Sequence, residues 1–272
     1  MLHSQPIISL QGVTMSGKRK TQKSKRNEVQ FLENALTNNA LAMKEGPKRK
    51  SWSEHDIRTI KPLTPAQEDM FRLYGQGSQV TAYGSAGTGK TYLACYLAIN
   101  DVLNPNFAHN RIIIVRSVVP TREVGHLPGT LEEKMAMYEL PYIDIFADLF
   151  KRGSTYHDMK EAGIVQFMST SFVRGLTWND AIVVIDEGQN MTWHEINSVM
   201  TRLGDNTRVI FTGDLLQTDL NKTGKDKCGM QKYLSVVERM NEFSTVQFTK
   251  DDIIRSDLVK SWIVASEEIE ED

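Results

Sequence analysis

The chain has 272 residues, with 32 Lys and Arg against 34 Asp and Glu and 40% hydrophobic residues, the composition of an ordinary folded protein. No apolar run approaches the roughly 20 residues that cross a membrane, no apolar segment follows the basic N-terminal residues as in a signal peptide, and two cysteines cannot form a disulfide framework. These features argue against a membrane protein or a disulfide-stapled domain, and a cytosolic protein with one large α/β domain, or a core with appendages, is expected.

The charge is uneven along the chain. Residues 1–60 hold 11 Lys and Arg against 5 Asp and Glu, which leaves the remainder negative. Lys18, Arg19, Lys20, Lys23, Lys25 and Arg26 form a cluster that can contact nucleic-acid phosphates or serve only as a solvated arm. Residues 27–43 contain Phe31, Leu32, Ala35, Leu36, Leu41 and Ala42, enough for a short amphipathic helix. A polar linker from Lys48 to about Pro62 follows.

The core begins at Leu63-Thr64-Pro65-Ala66-Gln67. Thr64 suits a helix cap and Pro65 the first helical position. Gln67, on that helix, carries an amide that can both donate to and accept from adenine. Gln79 to Tyr83 reads as a strand and Tyr92 to Ile99 as an apolar helix that takes Cys95 into the core. Between them lies Gly84-Ser85-Ala86-Gly87-Thr88-Gly89-Lys90-Thr91. Strand, glycine-rich loop and helix are the setting of a phosphate-binding P-loop. Its backbone N–H groups can surround the β-phosphate, Lys90 can reach the β- and γ-phosphates, and the Thr91 hydroxyl can ligate magnesium. A chance glycine turn is the plain alternative, and the filled motif with both flanks weighs against it.

Arg111 to Val115 is the next strand, with Arg116 and Ser117 at its C-terminal end, where open parallel sheets place functional loops. Val118 to Gly129 is rich in turn residues, and His126 within it reads as a surface or capping histidine. A helical pattern over 131–150, broken near Pro141, can cover a nucleotide. Ile164 to Met168 and Ala181 to Ile185 are strands, the second nearly all β-branched and so expected to be buried on both faces. It runs into Asp186-Glu187. Behind a P-loop, Asp186 suits the magnesium shell and Glu187 the attacking water; without one, two acids can simply open a helix. Arg208 to Thr212 is a further strand, and Gln217 beyond it is the candidate sensor of the γ-phosphate. A helix from Tyr233 to Met240, a late strand over Val246 to Thr249 and a helical pattern through Ile263 complete the core. Arg255 is a candidate arginine finger, from this chain or a neighbour, or else an ordinary ion-pair partner of Asp251 or Asp252. Glu267 to Asp272 reads as a frayed acidic tail.

Taken together, these stretches resemble the PhoH-like family, close to the superfamily 1 helicase type of RecA-like core. The resemblance rests on Leu63 to Gln67, the P-loop, Arg116-Ser117-Val118-Val119-Pro120, Gly125 to Gly129, Phe172 to Trp178, Asp186-Glu187-Gly188-Gln189-Asn190, Thr201 to Gly204, Gly213 to Leu220, and Asp252 to Ser256. It implies an α/β fold, a RecA-like P-loop NTPase with a mostly parallel sheet and flanking helices over residues 63–266, between a basic extension (1–62) and an acidic tail (267–272). It implies ATP and Mg2+ as ligands, with adenine at Gln67, phosphates at Gly84, Ser85, Ala86, Gly87, Thr88, Gly89, Lys90 and Thr91, metal at Thr91 and Asp186, and catalytic roles for Lys90, Glu187, Gln217 and Arg255. It further implies a homo-oligomer, with a hexameric ring as one arrangement, RNA or single-stranded nucleic acid as partner, and a cytoplasmic location, the host's if the chain is phage-encoded. Arg116, Arg174 and Arg202 fall on family motif arginines, open among RNA, phosphate and subunit contacts. Two positions depart from the family pattern: Gly188 where Ala is usual and Ser256 where His is common. Some members carry a PIN nuclease domain, for which this chain has no room outside the core.

The function expected from this reading is magnesium-dependent ATP hydrolysis coupled to RNA binding or remodelling, with RNA helicase activity as one form of it. The alternative is a nucleotide-controlled RNA-binding or assembly switch with little turnover. A kinase would need a phosphate-acceptor pocket that no stretch supplies, and a pure scaffold would leave the phosphate-binding residues unexplained.

Overall fold

A computed structural model describes residues 52–118, 131–214 and 228–271. The basic cluster, the helix expected within 27–43, His126 and Gln217 lie outside the described residues.

Six strands, β1 (Gln79–Gly84), β2 (Arg111–Arg116), β3 (Val165–Ser169), β4 (Ala181–Asp186), β5 (Thr207–Gly213) and β6 (Phe243–Phe248), form one sheet in the order β3-β2-β4-β5-β1-β6. Every pairing is parallel. The strand bearing the P-loop and the strand bearing Asp186 are separated by β5, the RecA-like arrangement. Parallel strands need crossovers, and seven helices supply or flank them among the described residues: α1 (Pro65–Gly75), α2 (Lys90–Leu103), α3 (Leu131–Phe150), α4 (Thr155–Glu161), α5 (Trp193–Met200), α6 (Met230–Val237) and α7 (Asp257–Glu271).

The strand sequences explain their burial. Ile112 and Ile114 of β2 and Ile182 and Val184 of β4 pack with Leu93, Ala94 and Leu97 of α2 in one core cluster. The alternate residues Ile113, Val115, Val183 and Ile185 are also buried, so neither face of the central strands meets water, as expected for a parallel sheet covered by helices. Each such side chain contributes about 1.5–3 kcal/mol. On the second face, Phe211 of β5 stacks on Tyr233 of α6 with centroids 4.0 Å apart, and the Tyr233 hydroxyl shares a hydrogen bond with Thr81 of β1.

Three expectations change. The pattern expected to break at Pro141 forms a single element, α3, which runs through it. The linker expected to extend to Pro62 lies on the core from Trp52 onward: Ile57 is buried, Trp52 and Ile60 are half-buried against the same cluster, and the Arg58 N–H donates to the Leu149 carbonyl. The acidic end expected to fray continues α7 to Glu271, and Glu267, only 2% exposed, accepts a hydrogen bond from Ser85 Oγ at 3.1 Å. A buried carboxylate requires a donor, and this one has found its donor in the P-loop; overall acidity in the sequence does not reveal such a single contact.

Candidate active site

A cleft of about 630 Å³ opens at the C-terminal ends of β1, β2, β4 and β5. Its floor is the P-loop. Gly84 ends β1 at φ 119°, and a Cβ there would lie 1.9 Å from the Phe248 carbonyl oxygen, so only glycine lets β1 turn beside β6. The loop then feeds α2, which begins at Lys90 and directs its free N–H groups and positive dipole end toward the cleft. Lys90 Nζ donates to the carbonyls of Gly84 and Ser85 at 2.7 and 2.6 Å. Burial lowers the Lys90 pKa, and the carboxylates of Asp214, Glu187, Asp186 and Glu267 partly offset that effect.

Asp186 lies at the end of β4 and is held on three sides. It accepts from Thr91 Oγ1 at 2.8 Å, from the buried Tyr142 hydroxyl at 2.7 Å and from Thr212 Oγ1. The Thr91 hydroxyl and the Asp186 carboxylate are thus within hydrogen-bonding distance, as two ligands of one magnesium ion should be, so these residues fit the ion. Tyr142 orients the carboxylate from α3, and desolvation together with the Asp186 charge pushes its own pKa far up, which keeps it a donor. The sequence reading missed Tyr142; a tyrosine in an apolar helical pattern looks like core.

Glu187 follows in the left-handed region, at φ 53°. Gln189 Nε2 donates to one carboxylate oxygen at 2.5 Å, and Arg116 Nη2 lies 3.9 Å from the other. Burial, then the neighbouring Asp186 charge, raise the Glu187 pKa above its ordinary value, the direction that suits a proton acceptor working near neutral pH. Gly188 is packed rather than free. A Cβ there would lie 2.2 Å from two ring atoms of Phe211, so the departure from the family's alanine has a steric reason in this chain.

The remaining candidates divide. Arg116 and Arg255 both line the cleft. Arg255 is exposed, and its Cγ lies 3.0 Å from where a Gly87 Cβ would be, which places it over the P-loop of its own chain. Asp252 is committed to capping, accepting from the Thr249 N–H at 2.9 Å. Arg174 instead shares a hydrogen bond with His194 on the surface. Gln67 is buried beneath the loop: its Oε1 accepts from the Leu63 N–H and its Nε2 donates to the Thr88 carbonyl. It braces α1 against the P-loop and is not among the residues lining the cleft; an adenine contact would require Gln67 to exchange these bonds. The wall opposite the loop is α3, which contributes Pro141, Asp144, Ile145 and Asp148.

The family model for the PhoH-like protein matches residues 59–267. The chain belongs to the PhoH-like family. It is 33% identical over 215 residues to the PhoH-like protein of Mycobacterium leprae (strain TN), covering 79% of this chain and 60% of that one. It is 30% identical over 243 residues to the PhoH-like protein of Bacillus subtilis (strain 168), covering 89% and 71%, and 31% identical over 209 residues to Protein PhoH of Escherichia coli (strain K12), covering 75% and 58%. The match therefore spans about 60% of the length of the mycobacterial relative. Among solved structures, the Pif1 helicase from Candida albicans aligns with a TM-score of 0.36 at 15% identity, over 70% of this chain and 41% of that one, a likeness too remote to bear on the site. Family and strand order agree on a P-loop NTPase-like fold, and no helix among the described residues is long and apolar enough to cross a membrane.

Proposed function

We propose that this PhoH-like chain hydrolyses ATP to ADP and phosphate with Mg2+, and couples turnover to RNA within a homo-oligomer. The observation that carries the hydrolytic reading is the Thr91–Asp186 hydrogen bond beside a separately held Glu187. Thr91 and Asp186 would hold the magnesium ion, which when bound neutralises charge on the phosphate oxygens. Lys90, with the N–H groups of the loop, binds and orients the β- and γ-phosphates. Glu187 accepts a proton from water as the water oxygen forms its bond to the γ-phosphorus and the bond from that phosphorus to the ADP oxygen breaks. The α3 wall limits access of other water, and a cationic side chain at the γ-phosphate stabilises the charge of the transition state.

Separate features support each of the coupled partners. The RNA reading draws on the basic cluster at residues 18–26 and on the surface pairs Arg174–His194 and Lys232–Trp193, the latter a cation over an aromatic ring at 4.6 Å. Together these supply the cations and aromatic surface that single strands use. The oligomer reading draws on α7, where Leu258 and Trp262 are 80% and 75% exposed, apolar area that a second copy would cover. The test is ATP turnover across a panel of RNA and DNA oligonucleotides, with oligomer mass followed in the same samples. Magnesium-dependent turnover raised by RNA is expected. RNA binding that changes with nucleotide but without turnover would instead establish the switch.

A further inference from the structure

We propose that Arg116 is a catalytic residue acting within its own chain, a guanidinium that engages the γ-phosphate and thereby distinguishes triphosphate from diphosphate. The proposal rests on the nucleotide reading of the cleft and goes beyond it, since family resemblance leaves Arg116 open among RNA, phosphate and subunit contacts.

The position follows from the sheet. Arg116 is the last residue of β2 and pairs in register with Asp186 of β4, so the strand order sets it beside the acidic pair. Its side chain is only 20% exposed. Its guanidinium carbon lies 5.8 Å from the centroid of the Tyr138 ring, on the same helix as the Tyr142 that orients Asp186. Tyr138 of α3 thus flanks the guanidinium, and Arg116 lines the cleft.

The pairing with Glu187 is loose. At 3.9 Å it exceeds the roughly 2.7–2.9 Å of a charge-assisted hydrogen bond, so the planar fork is near the carboxylate without being closed on it. Glu187 has Gln189 as its own close donor, and proton transfer from water needs a carboxylate that is placed but not neutralised by a tight ion pair. A γ-phosphate seated by Lys90 would offer the fork two oxygens in the bidentate geometry that guanidinium favours. Arg116 would then turn from Glu187 toward phosphate, leaving the carboxylate to the water. ADP lacks those oxygens and leaves the pair as it stands. Arg255, exposed and lying over the P-loop, is left for a different contact.

The experiment compares wild type, R116A and R116K for affinity toward ADP and toward the non-hydrolysable β,γ-imido analogue of ATP, and for ATP turnover with and without added guanidinium. The expected result for R116A is a fall in turnover of about 10²–10³-fold, a loss of about tenfold in the triphosphate-to-diphosphate affinity ratio, ADP affinity within about twofold of wild type, and partial recovery of turnover by guanidinium, by analogy with one lost charge-assisted contact. R116K keeps the charge but not the fork and should fall between. A merely structural role would weaken ADP and the analogue equally and would show no guanidinium rescue; that result overturns the proposal, as does an unchanged ratio in R116A. A wild type that binds the analogue without turnover leaves the ratio as a test of Arg116 while refuting hydrolysis, and a wild type that binds neither nucleotide refutes both.

Discussion

The two sides of the acidic pair are built differently although they are adjacent in sequence. The side proposed to hold the metal is closed: Asp186 accepts from Thr91, Tyr142 and Thr212, hydroxyls drawn from α2, α3 and β5. The side proposed to activate water is open: Glu187 takes one close donor from Gln189 and faces Arg116 across 3.9 Å. A metal ligand must be in place before the ion arrives, and three convergent donors fix it. A proton acceptor must change partners during the reaction, and a carboxylate with one oxygen held by Gln189 and the other only loosely paired can do so.

The largest expected break in this comparison is upstream of both sides. Lys90→Ala removes the cation proposed to serve the phosphates, and turnover should fall about 10³-fold; isothermal titration with the ATP analogue should show binding lost as well. Next comes the metal side alone. Tyr142→Phe deletes one donor to Asp186 and should weaken apparent magnesium affinity by about 10–100-fold, read from turnover against magnesium concentration, with the maximal rate largely recovered at saturation. If that variant instead lowers the rate at saturating magnesium, the hydroxyl serves the water side, and the division between the sides fails.

The water side depends on packing beneath it. Gly188→Ala places a methyl group against the Phe211 ring and should cost about 1–3 kcal/mol as an overpacking change, measured as a lower denaturant midpoint, with a few-fold loss of turnover as Glu187 shifts. Phe211→Leu in that background should restore part of both. Recovery of stability without recovery of turnover would mean that Phe211 supports the fold and not the position of Glu187.

The smallest effect concerns the helix that leaves the site. Glu195 caps α5 through Thr192 and also accepts from Thr170 and Ser117. Burial alone would raise its pKa, but these donors outweigh that effect and the net shift is downward. A carboxylate whose folded pKa is depressed stabilises the fold fully above its unfolded value of about 4.3 and loses that contribution as pH falls through the folded value. Glu195→Gln should therefore lower stability at neutral pH and flatten the acid limb of the stability–pH curve. A parallel downward displacement at every pH would show that the charge on Glu195 does not matter.

Much of this was legible in the residues, and what was not has physical causes. The strand before Gly84 and the β-branched run before Asp186 announced themselves because burial on both faces demands such sequences. That Lys90, Thr91, Asp186 and Glu187 meet in one cleft could be expected because the phosphate and magnesium chemistry proposed for them restricts residue type and spacing together. Tyr142 and the Glu267–Ser85 contact were not, because each is one polar atom on an otherwise ordinary helix, placed by tertiary packing rather than local pattern. Gln67 shows the opposite case: its residue type was recognised, yet its amide is spent on the Leu63 N–H and the Thr88 carbonyl. The close fit of Gly188 against Phe211 joins residues 23 positions apart, and no local rule connects them.

The most direct test of hydrolysis at this cleft is a comparison of wild type with Glu187→Gln, measuring ATP-analogue affinity and single-turnover release of phosphate in magnesium. The account predicts that wild type releases phosphate, whereas Glu187→Gln binds the analogue within a few-fold of wild type and releases phosphate about 10²–10³ times more slowly, the scale of a lost general base. Phosphate release by Glu187→Gln at the wild-type rate, or no magnesium-dependent release by wild type, would contradict it.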